Sequence, residues 1–111
     1  MRTFINSFKH AWRGLKTVIR TEKNFRLHLG IAFLVLILAW YRDLSKLSWV
    51  ALFLIIAFIL VLEIFNSAIE RLVDILAPKT HSYAKEIKDL LAAMVLLASI
   101  FAVIIGLFIF L

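Results

Sequence analysis

Apolar positions fall into four blocks along the chain. From Arg2 to Arg20, Phe4, Phe8, Ala11, Trp12, Leu15, Val18 and Ile19 recur at spacings of three and four, and Arg2, Lys9, Arg13, Lys16 and Arg20 gather on the other side. That spacing is the helical period. A helix divided in this way lies in a membrane surface, apolar face down and cations toward the headgroups. Packing on a protein core would give the same period, but the three apolar runs that follow favour the membrane surface. The second block, Leu27 to Tyr41, is interrupted only by His28. A span needs about 20 residues, so this one extends back through Asn24, Phe25 and Arg26, whose guanidinium can reach the interface. Trp40 and Tyr41 mark the far interface. The third block runs from Leu47 to Leu62 and continues as a helix until Pro78 and Lys79 stop it. Residues 79–85 read as a short loop. The fourth block, Leu90 to Leu111, has 22 residues and no charge. The expected fold is all-α: a surface helix over 1–24 and helices with membrane spans over 25–41, 47–77 and 86–111, in one membrane-embedded domain covering 1–111. Strand signals and internal repeats are missing.

Composition explains why the bilayer has to be part of the solvent. The apolar fraction is 64%, against about 45–50% in soluble proteins, and a chain of 111 residues cannot hide so much apolar surface in its own interior. A net charge of +6 would point to nucleic acid in a soluble protein. Here its placement gives a better account, and no nucleic-acid partner is expected. Seven Lys/Arg lie between Met1 and Arg26 and four between Glu63 and Asp89, against two in the turn from Arg42 to Lys46. Three spans put the first two groups on one side, and the positive-inside rule makes that side the cytoplasm. The N-terminal segment lacks the continuous apolar core of a cleavable signal. With no cysteine, disulfide and thiolate chemistry are excluded.

The candidate chemistry lies where the third block leaves its apolar core. At about 100° per residue, Glu63, Asn66, Glu70 and Asp74 fall within a narrow arc of one helix, with Ser67 beside them. Like charges on one stripe near lipid repel and are costly, so a cation is expected to offset them. Magnesium suits this, since it takes oxygen ligands from carboxylates and phosphates together. A solvated helix end would carry such charges too. Against that, Glu63 directly follows 16 mostly apolar residues, and an acid at that depth is a functional candidate by default. The cluster Lys85-Glu86-Ile87-Lys88-Asp89 precedes the last span and, taken alone, reads as a positive-inside anchor. Glu22 is the only acid in the basic N-terminal segment, and a helix-end partner for Lys23 or Arg26 is an equal alternative. His10, His28 and His81 show no paired metal spacing. The phosphate-binding loop of soluble nucleotide-binding proteins and the signatures of soluble kinases are absent.

The block Glu63-Ile-Phe-Asn66-Ser67-Ala68-Ile69-Glu70 resembles the prokaryotic diacylglycerol kinase family, which includes the undecaprenol kinases of Gram-positive bacteria. Three further stretches are similar and stand in the same order: Ser7 to Leu15, Thr21 to His28, and Lys88-Asp89 with its apolar run. The resemblance covers nearly the whole chain. It implies an ATP-dependent kinase acting on a lipid hydroxyl, undecaprenol ahead of diacylglycerol, at the cytoplasmic face of the bacterial inner membrane. It also implies a domain-swapped homotrimer with active sites shared between neighbours. By the same resemblance Glu63 is the general base and Asn66 lines the site. Glu22 and Glu70 hold Mg2+ beside the nucleotide. Lys88 and Asp89 contact ATP, and His10, Lys79, Thr80 and His81 are further nucleotide contacts. Leu90, Leu91 and Met94 stand where the family usually has small residues. The alternative of a different class is a non-enzymatic membrane protein, a channel subunit or an assembly factor, whose acidic stripe would line a pore or an interface.

Overall fold

A computed structural model describes residues 2–77 and 82–111. Four helices follow one another: α1 (Arg2–Thr21), α2 (Lys23–Tyr41), α3 (Lys46–Leu76) and α4 (Ser82–Phe110). The last three are long and apolar enough to cross a membrane. α3 is central: α4 packs along it most extensively, α2 lies against it as well, and α1 touches α2.

The joints between helices follow from local chemistry. α1 ends at Thr21 because Glu22 adopts extended backbone (φ −107°, ψ 106°). Arg26 then reaches back, and its Nη1 donates to the carbonyls of Ile19 and Arg20, each at 2.8 Å. A guanidinium there satisfies carbonyls the helix end leaves free and complements its dipole. At the opposite end of the bundle, Ser45 caps α3 by accepting from the Ser48 backbone N–H at 3.2 Å. Arg42 Nη2 donates to the Phe110 carbonyl at 2.6 Å, tying the α2–α3 turn to the end of α4. α3 stops at Ala77, whose extended backbone (φ −139°, ψ 144°) is what a following proline imposes.

Two boundaries differ from expectation. α2 starts at Lys23, not 25, because the break falls on Glu22 itself. α4 starts at Ser82, so residues 82–85, expected in a loop, form its first turn. Ala84 is buried there, and burial of one side is what normally holds a helical turn in place.

Little of the chain is interior. The buried apolar residues are Val18 of α1, Phe25 and Ala39 of α2, Leu52 and Val73 of α3, and Ala84, Leu91 and Ala98 of α4. The most apolar windows of the three spanning helices are only 6–11% buried. The radius of gyration is 16.8 Å, against about 13 Å for a compact soluble domain of this length. Leu91, one of the large residues where small ones were expected, is buried, whereas Leu90 points away and is exposed. Small residues permit close helix approach in membranes, and Ala39 and Ala98 occupy such positions. Ala98→Leu should therefore cost about 1–3 kcal/mol by overpacking, measured as a lowered thermal midpoint in detergent micelles. An unchanged midpoint would show that α4 is not held at Ala98.

Candidate active site

Where the apolar part of α3 ends, Glu63, Asn66 and Glu70 line a cleft of about 390 Å³. Their spacing of three and four residues keeps them on one face over two turns. The elbow and the start of α2 contribute Glu22, Asn24 and Phe25, and α4 contributes Ala92, Val95, Leu96 and Ser99. The cleft thus draws acids from two helical segments that are 41 residues or more apart in sequence, over an apolar wall from a third.

Glu63 is buried, 8% exposed, and one of its oxygens, Oε1, is hydrogen-bonded to Nδ1 of His28 on α2. Among the described residues, the buried side-chain polar atoms without a partner are Glu63 Oε2 and Asn66 Oδ1. Buried polar atoms are normally paired, so two orphaned acceptors lining one cleft point to a ligand that donates to them or coordinates them. Glu22 is held differently. Ser67 Oγ donates to its Oε1 at 2.7 Å, and Arg71 Nη2 lies 3.6 Å from the same oxygen while donating to Thr21 Oγ1 at 2.7 Å. These contacts fasten the elbow to α3.

Glu22, Glu63, Asn66 and Glu70, singled out from sequence, therefore meet in one cleft. Other candidates lie elsewhere. His10 is exposed on α1, and Asp89 is exposed on α4; neither lines the cleft. Lys88 Nζ donates to Asp74 Oδ1 at 2.6 Å. Asp74 does share the face of Glu63, but it stands about 16 Å further along the helix axis, beyond the cleft. Lys79, Thr80 and His81 lie outside the described residues. The helix-end alternative for Glu22 is corrected, since Arg26 binds carbonyls of α1 and Glu22 turns to Ser67 and Arg71. His28 has no metal-ligand spacing in the sequence, yet it is joined to Glu63. A polar ring interrupting an apolar span was the available signal. Asn24, Arg71 and Ser99 carried no comparable signal.

Carboxylate and amide oxygens are the donors that hard cations prefer, so the cleft fits magnesium in ligand type. Among the described residues, no three His, Cys, Asp or Glu side chains group into a ready metal site. An ion bound by Glu22 and Glu70 would draw its other ligands from water and phosphate, as magnesium commonly does.

Comparison with known proteins agrees with this picture. Residues 9–110 match the prokaryotic diacylglycerol kinase family. The chain is 41% identical over 111 residues to an undecaprenol kinase of Bacillus subtilis (strain 168), covering 100% of this chain and 90% of that protein. It is 37% identical over 101 residues to a diacylglycerol kinase of Synechocystis sp., covering 90% of this chain and 58% of that one. To a diacylglycerol kinase of Escherichia coli (strain K12) it is 32% identical over 100 residues, covering 90% and 82%. Such coverage favours an enzyme over a channel subunit or an assembly factor. The chain belongs to the prokaryotic diacylglycerol kinase family, a family of lipid kinases.

Proposed function

We propose that this protein transfers the γ-phosphoryl group of ATP, with Mg2+, to the hydroxyl of a membrane lipid alcohol, undecaprenol ahead of diacylglycerol. The observation that carries this reading is the buried, unpartnered Oε2 of Glu63, in a cleft shared with Glu22, Asn66 and Glu70 where α3 leaves its apolar run. A lipid alcohol arriving from the bilayer presents its O–H to that oxygen. Glu63 accepts the proton while the alcohol oxygen attacks the γ-phosphorus. The new oxygen–phosphorus bond forms as the bond to the β–γ bridging oxygen breaks, and ADP leaves with that oxygen. Phosphoryl transfer depends on positioning and charge neutralisation, and a placed carboxylate can serve as the proton acceptor.

Glu22 and Glu70 are the residues that would hold Mg2+. An ion held there would supply positive charge against the phosphate groups. Asn66, whose amide oxygen is buried without a partner, lines the same cleft. Lys88 and Asp89, one turn before the cleft-lining Ala92, are assigned to the nucleotide, with His10, Lys79, Thr80 and His81 as further contacts. The cation distribution supports a cytoplasmic N-terminus and cleft in the bacterial cell membrane. Largely uncovered spanning helices and a cleft too open to enclose both ATP and a lipid headgroup support a homotrimer with sites shared between neighbours. The higher identity to the undecaprenol kinase supports the polyprenyl alcohol.

In mixed micelles offered undecaprenol and diacylglycerol together with labelled ATP, undecaprenyl phosphate should be the main labelled product; a predominance of phosphatidate would reverse the substrate order. Glu63→Gln should lower kcat about 10²- to 10⁴-fold, the range for losing a general base. Chelation of magnesium should stop turnover, with recovery on adding the ion back. Full activity of Glu63→Gln, or of the chelated enzyme, would reject the assigned chemistry.

A further inference from the structure

We propose that His28 is the positioning residue for Glu63: its Nδ1–H holds Oε1 of the carboxylate and thereby presents Oε2 to the cleft. This rests on Glu63 being the proton acceptor and adds a residue to that site. The ring belongs to α2 and the carboxylate to α3, so the hydrogen bond joins two helices at the level where proton transfer would occur.

Three observations converge on His28. Glu63 is buried with one oxygen engaged by the ring and the other unpartnered, so the ring fixes the carboxylate by one end and leaves the other end without a donor. Three other polar side chains of this region face elsewhere: Ser67 and Arg71 face Glu22, and Lys88 faces Asp74. His28 also stands between two spaces. It lines an apolar groove of about 290 Å³ with Ile31, Val35, Leu52 and Ile59, while its partner Glu63 lines the polar cleft. The ring therefore sits at the passage from hydrocarbon to the reacting groups.

A Glu side chain has three free rotors and loses rotamer entropy when fixed. Reactivity depends on holding the acceptor within a narrow geometry of the proton. A hydrogen bond to Oε1 supplies that restraint and leaves Oε2 basic. Because Nδ1 is the bonded nitrogen, the neutral ring donates as its Nδ1–H tautomer. An asparagine amide can place an N–H close to the Nδ1 position, whereas leucine fills a similar volume without a donor.

The test compares Glu63→Gln, His28→Leu, His28→Asn and the double variant His28→Leu/Glu63→Gln, purified in micelles with undecaprenol, ATP and Mg2+. His28→Leu should lower kcat by about 30-fold or more, as expected for a misplaced proton acceptor. KM for both substrates should stay within about twofold, because binding is not what the contact provides. His28→Asn should recover turnover to within about fivefold of the parent. The double variant should be no slower than Glu63→Gln alone, since residues that act as a unit are not additive. His28→Leu working at parental kcat would overturn the proposal, as would His28→Asn being as slow as His28→Leu, or multiplicative losses in the double variant. If Glu63→Gln is inactive while His28→Leu is not, only the role of His28 is lost. Full turnover by Glu63→Gln removes the base assignment and the tether together.

Discussion

A carboxylate at the edge of hydrocarbon persists only where neighbouring groups compensate for its lost water. Two such acids organise this protein. Glu63 is hydrogen-bonded to His28, and Glu22 to Ser67 with Arg71 nearby. Both contacts run from α2, or the elbow before it, to α3. They are stacked at the same end of the bundle, where the polar cleft opens. The groups that make the acids tolerable in this place are therefore the same groups that set the cleft's shape.

The remainder of the chain shows how little interior is needed when the solvent is lipid. Among the described residues only eight apolar side chains are buried, far too few to stabilise a soluble domain of this size. Helix association in a bilayer draws on close packing and hydrogen bonds and gains little from excluding water. The small residues Ala39, Ala84 and Ala98 at buried positions fit that regime, as does the broad apolar surface that the described helices leave exposed.

Much of this was legible in the sequence because the relevant signals are local. Long apolar runs announce spans, and the 3.6-residue period placed Glu63, Asn66 and Glu70 on one face. What was not legible depends on helices coming together. His28 and Glu63 are 35 residues apart, and no spacing rule links them. Two readings of Glu22 stand side by side in the sequence, a helix-end acid and, by the family resemblance, an acid that holds Mg2+, whereas its contact with Ser67 depends on the elbow meeting α3. Asp74 showed the opposite limit, since a shared face says nothing about depth along the axis. The early start of α4 at Ser82 likewise depends on burial of Ala84, which its own sequence window does not reveal.

The elbow at Glu22 is one residue long, and the residue at the bend is itself one of the cleft's acids. α1 is thus joined to the level of the cleft by a single residue, with Arg26 bracing the corner. Any movement of α1 relative to α3 therefore loads the contacts that hold the Glu22 carboxylate, Ser67 Oγ at 2.7 Å and Arg71 Nη2 at 3.6 Å.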